Sequence, residues 1–318
     1  MFSQLAILIL GLTILILGGE LLVRGSSSIA LKAKISPLVV GLTIVAFGTS
    51  APELLISVKA ALAGSPDMTM GNVVGSNICN LALVLGLTAL MGPIKVNADS
   101  IKIDWPVAMG SSLMLYFLLK ARPKLDLWTG LLFLTVLATY TIFIIMKSRR
   151  ETKAQAMAME EGAIDLPERT KGPYRDITYI LLGCLGLYYG SDWFVGGARD
   201  MAMLLGVSER VIGITVLALG TSLPELVTAI VAAVKGETDL AVGNLMGSNI
   251  FNILSILGIT SLITPIEVSE EIVRYDLLAM ILITIVIFPM MLYKRVMGRI
   301  SGAILLLLYV YYTYTVIT

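Results

Sequence analysis

The stretch GTSAPELL at Gly48–Leu55 returns as GTSLPELV at Gly220–Val227, and both copies lie inside apolar runs long enough to cross a bilayer. The repetition reaches well beyond them at one fixed offset of 172 residues. Gly71-Asn72 matches Gly243-Asn244, Gly75-Ser76-Asn77-Ile78 matches Gly247-Ser248-Asn249-Ile250, and Asn80 matches Asn252. Pro93 meets Pro265, Asp104 meets Asp276, and Gly18 and Glu20 meet Gly190 and Asp192 in the same register. Between 39–58 and 211–230, 10 of 20 positions are identical. A gapless register of this length marks an internal duplication, so one solution must serve both halves of the chain.

The solution is set by hydropathy. Of 318 residues 57% are hydrophobic and 14% charged, and the mean hydropathy is +0.90. That is too little charge to cover a soluble surface. Apolar runs of about 18 or more residues read as membrane-spanning helices. Ten are expected, near 4–24, 38–62, 70–91, 104–120, 126–146, 176–197, 210–234, 242–263, 275–293 and 300–317. The first lacks a basic leader and reads as a retained span. The fold expected is an all-α polytopic membrane protein. Residues 1–146 form a first five-helix repeat, 147–175 a polar linker, and 176–318 a second five-helix repeat. Because five is odd, the second copy enters from the opposite side, and the repeats have inverted topology. That is a common build of secondary transporters, with polar sites near the bilayer midplane.

Sixteen of the 23 Lys and Arg residues fall on the side of the linker. The positive-inside rule makes that side cytoplasmic and puts both termini outside. The net charge of +1 gives no reason to expect a nucleic-acid partner, and with no histidine there is neither an imidazole metal site nor a histidine proton relay. Cys79 and Cys184 lie in apolar segments and read as small core residues. No cofactor is expected. The linker's acidic residues match no EF-hand spacing.

A carboxylate at mid-bilayer costs roughly 2.5–3.5 kcal/mol on insertion scales, which makes function its default reading. Here each glutamate follows a proline. Pro52 and Pro224 cannot donate to the carbonyls of Gly48 and Gly220, so each helix is expected to open there. The loosened turns would offer backbone carbonyls, the hydroxyls of Thr49 and Ser50 or Thr221 and Ser222, and the carboxylates of Glu53 and Glu225. All are hard oxygen donors, suited to calcium and sodium. In the second motif, Ser76 and Asn80, and likewise Ser248 and Asn252, share a helical face at i, i+4. Alone, these serines and asparagines could equally be packing or interhelical hydrogen-bonding residues. Glu20 and Asp192 could serve ion access paths or could be interfacial polar residues.

The paired motifs GTSAPELL with GNVVGSNICN and GTSLPELV with GNLMGSNIFN resemble the alpha-repeats of the sodium/calcium exchanger family, within the cation/calcium antiporter superfamily. Here the repeats fall at 39–86 and 211–258. The resemblance spans nearly the whole chain. It implies central ligands at Glu53, Asn80, Glu225 and Asn252, with backbone or hydroxyl oxygens at Ala46, Thr49, Ser50 and Ser76 and at Ala218, Thr221, Ser222 and Ser248. It further implies alternating access, in which spans 1 and 6 slide against the other eight, and a functional monomer. Asn252 stands where potassium-dependent members carry Asp, which argues against potassium co-transport. The function expected is exchange of calcium for sodium across the cell membrane. Proton/calcium antiport is the nearer alternative and a cation channel the more distant one. Proton-coupled relatives usually carry an acidic residue after the Gly-Asn pair, whereas Val73 and Leu245 follow it here. No nucleophile–base pair suggests an enzyme.

Overall fold

The computed structural model describes residues 2–160, 173–205 and 220–317. They form a helical membrane protein whose spans follow the expected order. Span 1 is Phe2–Ala33, span 2 joins Pro37–Thr49 to Ala51–Leu62, span 3 is Pro66–Met91 and span 4 covers 100–121. Span 5 is Leu127–Glu160 and span 6 is Pro173–Leu204. The described part of span 7 includes Leu223–Val234. Thr238–Ile263, Ile272–Leu292 and Arg299–Ile317 follow as spans 8 to 10. The expected start of span 7 near 210, and the linker residues 161–172, lie outside the described residues.

Six of these helices are long and apolar enough to cross a membrane unaided, and the bent second span makes a seventh. Spans 4 and 6 carry charges within their length, among them Lys102, Asp104 and Lys120, and Asp176, Asp192 and Arg199. Their place in the bundle follows from the duplication rather than from hydropathy alone. Span 5 runs on as helix to Glu160, so the first turns of the expected linker are helical. The extension is packed where it leaves the bundle. Lys147 pairs with Asp99, and Ser148 Oγ accepts from the Ser36 N–H at 2.7 Å.

Two short ladders establish the inversion. Ile94–Lys95 (β1), after span 3, pairs antiparallel with Val296–Met297 (β4), after span 9. Lys124–Leu125 (β2), after span 4, pairs with Ile266–Glu267 (β3), after span 8. At the 172-residue offset β1 corresponds to β3 and β2 to β4. Each ladder thus joins a loop of one half to a non-equivalent loop of the other. This is what a two-fold axis in the membrane plane produces.

Spans 3 and 8 form the middle of the bundle, each 78% buried over its most apolar window, against 11% for span 10. Spans 1 and 6 pack backbone to backbone. A methyl group added at Gly18 would sit 2.7 Å from Leu187 N, and one at Gly190 2.6 Å from Leu15 N. The second halves of spans 2 and 7 end alike on left-handed glycines, Gly64 at φ +75 and Gly236 at φ +79. There Ser65 N–H reaches Ala60 O at 2.9 Å and Glu237 N–H reaches Ala232 O at 2.9 Å, closing orphan carbonyls of the last turn.

Candidate cation site

Span 2 stops being helical at Ser50 (φ −84, ψ 5) and restarts with Pro52 in its first turn, so its two parts meet at 46°. In span 7, Leu223–Val234 likewise starts from a non-helical Ser222 (φ −89, ψ 5) with Pro224 in its first turn. Proline is well placed at the start of a helix and poorly placed inside one, so the break falls just ahead of it. In the second half the carbonyl released by Pro224 is taken up. Ser191 Oγ of span 6 donates to Gly220 O at 2.7 Å.

Glu53 and Glu225 occupy the first turn after each break, where the positive end of the helix dipole favours a carboxylate. Both are wholly buried. Around Glu225 the two halves interlock. Ser50 Oγ donates to Glu225 Oε1 at 3.1 Å, and Ser248 Oγ does so at 3.5 Å. Thr49 Oγ1 lies 3.3 Å from Ser248 Oγ, 3.2 Å from Asn244 Oδ1 and 3.3 Å from Ala46 O.

Spans 3 and 8 face this cluster. Each loosens into a π-helical turn at the key asparagine, over Cys79–Val84 and Asn252–Ile256. Such turns are frequent at functional sites. Asn80, Asn252 and Ser248 are fully buried and Ser76 nearly so, while Thr221 is half-buried. Ala218, expected to offer a carbonyl, lies outside the described residues.

Both carboxyl oxygens of Glu53, Oε2 of Glu225, both polar atoms of Asn80, Oδ1 of Asn252 and Oγ of Ser222 are buried without a hydrogen-bond partner. An unpaired polar group in an apolar interior costs a few kcal/mol, and a charged one more. So many orphans at the point where the two halves meet describe a site that a cation would complete. Its carboxylates come from two residues, one per half. Among the described residues no three acidic, histidine or cysteine side chains converge on a metal-sized site. Any cation here would therefore depend on hydroxyl, amide and backbone oxygens as well.

Of the other membrane carboxylates, Asp104, Asp276 and Glu20 each have a side-chain partner, although Oδ2 of Asp104 is buried without one. Tyr140 donates to Asp104 Oδ1 at 2.9 Å and Tyr312 to Asp276 Oδ1 at 2.8 Å, in matching register. Glu20 pairs with Lys235 at 3.0 Å, away from the central cluster, and Asp192 is exposed. Three further participants went unmarked as site residues in the sequence. Asn72 Nδ2 donates to the backbone carbonyl of Glu53 at 3.1 Å, Asn244 accepts from Thr49, and Asn77 bonds across to span 8. All three asparagines recur in the 172-residue register, and that recurrence was the available signal.

A two-fold bundle in which each half starts a helix at a proline and buries a carboxylate in its first turn belongs to a class of membrane transporters. The family described as sodium/calcium exchanger protein matches residues 3–146 and 176–318. The inner membrane protein YrbG of Escherichia coli (strain K12) is 34% identical over 298 residues, covering 93% of this chain and 90% of YrbG. The sodium/calcium exchanger MaX1 of Methanosarcina acetivorans is 33% identical over 334 residues, covering 96% and 95%. The structure of the sodium-calcium exchanger NCX_Mj soaked with zero Na+ and Ca2+ superposes with a TM-score of 0.83 at 27% identity, over 98% of each chain. The chain belongs to the sodium/calcium exchanger family. It is an integral membrane transporter.

Proposed function

We propose that this protein is a secondary antiporter that exchanges calcium for sodium by alternating access at the central cluster. Glu53 and Glu225 carry the charge that balances calcium. Asn80 and Asn252 supply neutral oxygens, and Thr49, Ser50, Ser76, Thr221, Ser222 and Ser248 supply hydroxyls. Ala46 and Ala218 supply carbonyls. The observation that carries this reading is the pair of buried glutamates, one per half, with unpartnered oxygens beside the unpartnered amide of Asn80 and the unpartnered Oδ1 of Asn252. Hard oxygen donors of this kind suit calcium and sodium, and MaX1 and NCX_Mj bear both ions in their names.

Gradient arithmetic constrains the coupling. Moving calcium out against about a 10⁴-fold gradient and ~100 mV costs roughly 10 kcal/mol. Each sodium entering down about a tenfold gradient returns roughly 3.7 kcal/mol. About three sodium ions per calcium are then needed, and the cycle moves net charge. The protein works as a monomer in the cell membrane, with the 147–175 linker cytoplasmic and both termini outside. A small cleft lined by Phe47, Ser50, Ala51, Leu54, Phe251, Ser255 and Ile256 lies beside Ser50.

The test is ⁴⁵Ca²⁺ uptake into proteoliposomes at fixed pH, preloaded with Na⁺ or with K⁺. Uptake that requires internal sodium is expected. Uptake indifferent to sodium but driven by an outward proton gradient would instead make the two glutamates proton carriers.

A further inference from the structure

Asn252 can face a cation with either end of its amide, and only the oxygen end can bind one. What selects the end is a chain of hydrogen bonds running away from the site. Asn252 Nδ2 donates to Asn77 Oδ1 at 3.0 Å. Asn77 Nδ2 in turn donates to the backbone carbonyl of Asn249 at 3.3 Å and lies 3.5 Å from the Met280 sulfur. All three asparagines are buried, Asn77 at 1% exposure.

The direction of this chain is not a matter of choice. A backbone carbonyl only accepts, and a thioether is at best a weak acceptor, so the end of Asn77 that faces them must be its NH₂. Its oxygen then faces Asn252. Two amide oxygens in contact would repel, so Asn252 must turn its NH₂ towards Asn77. Its Oδ1 is left buried and unpartnered. Amide orientations are assigned from such networks, and this one is anchored at a group that cannot flip.

We propose that Asn77 is a positioning residue of the cation site: it relays the polarity of the Asn249 carbonyl to Asn252, so that Asn252 presents its oxygen and not its amide hydrogens to the transported ion. The link spans the two halves, because Asn77 sits on span 3 and Asn252 on span 8. It is made once only. Asn249, the counterpart of Asn77, leaves both of its side-chain polar atoms unpartnered, as does Asn80, the counterpart of Asn252. Without Asn77 the Asn252 amide is free to turn over and set N–H groups against the cation. Residues that orient metal ligands typically change affinity by about 10- to 100-fold when lost.

The proposal rests on Asn252 being a ligand, and the experiment keeps the two claims apart. The calcium concentration dependence of ⁴⁵Ca²⁺ uptake is measured in proteoliposomes for Asn77→Leu, Asn252→Ala, the double variant, and Asn77→Asp, with Glu53→Gln as the control. Asn77→Leu is expected to raise the KM for calcium at least tenfold while kcat changes by less than about threefold. In the Asn252→Ala background the same change should move KM by less than about twofold, because the residue it positions is gone. A purely structural role would lower activity equally in both backgrounds. Asn77→Asp keeps an oxygen for Asn252 in either protonation state, so its KM should stay within about threefold of the parent. It supplies the reading if the leucine variant does not fold, and a tenfold rise would overturn the proposal. Wild-type KM in Asn77→Leu, with transport lost in Glu53→Gln and KM raised in Asn252→Ala, would remove the positioning role alone. Normal transport by Glu53→Gln and Asn252→Ala would remove the site itself.

Discussion

The two halves use the same residues at the site and connect them differently. In the second half, Glu225 accepts from Ser50 and Ser248. In the first, among the described residues Glu53 accepts from neither Ser222 nor any other side chain, and Ser222 Oγ is unpartnered as well. The same contrast appears at the helix breaks. Ser191 holds the carbonyl of Gly220, whereas its counterpart on span 1 is Gly19, which has no hydroxyl to offer. It appears again at the rims. Glu20 pairs with Lys235, while the positions matching them are Asp192 and Ala63, which cannot pair. A duplicated sequence therefore supplies two half-sites of equal chemistry and unequal support. If the protein alternates access as proposed, that inequality matters, since perfect symmetry would give its two end states the same energy.

The largest test breaks both half-sites in turn. Glu53→Gln and Glu225→Gln should each reduce calcium uptake by more than ~100-fold at matched expression, since each removes a buried charge that the cation must balance. Near-normal uptake in either would sink the two-carboxylate site. At the seam between spans 1 and 6, by contrast, the halves should behave alike. Gly18→Leu and Gly190→Leu each drive a side chain into backbone at under 3 Å, and each should cost ~1–3 kcal/mol of stability. Thermal unfolding in detergent would read this, and a clear difference between the two would contradict the symmetric seam.

A finer comparison uses the hydroxyls. Ser50→Ala removes a hydrogen bond to a buried carboxylate and should raise the KM for calcium about tenfold. Ser222→Ala removes no such bond and should raise it by only about twofold. Equal effects would mean that the wiring described here does not govern binding. The smallest effect is expected at the rim. Glu20→Gln should slow transport about twofold, less so at high salt, because the pair with Lys235 is partly exposed and screened. Asp192→Asn should do less still.

Much of this arrangement is legible in the sequence because membranes are unforgiving solvents. A glutamate beside a proline, twice, at a constant offset has few structural uses in lipid. The same offset carried the span order and the inversion, which the β1–β4 and β2–β3 pairings bear out. Hydropathy alone was weaker, since spans 4 and 6 carry charged residues: Asp104 is buried with one oxygen bonded by Tyr140, while Lys102, Lys120, Asp192 and Arg199 are exposed. The helical start of the linker was not expected, because its polar composition does not reveal that Lys147 and Ser148 dock against Asp99 and Ser36. Nor could the sequence show which asparagine supports which. Asn77 and Asn249 are identical in type and register, and only the three-dimensional direction of their hydrogen bonds separates them.

The two short ladders have a consequence for biogenesis. Each is woven from one strand of either half, so neither half can close its own loops. As the chain leaves the ribosome, Ile94–Lys95 and Lys124–Leu125 reach opposite membrane faces with their partners still unmade. Those partners arrive only with residues 266–297, after eight spans have been threaded. The amino-terminal half must therefore wait, inserted but unfastened, and a truncated product ending in the linker would be left with both of its fasteners open.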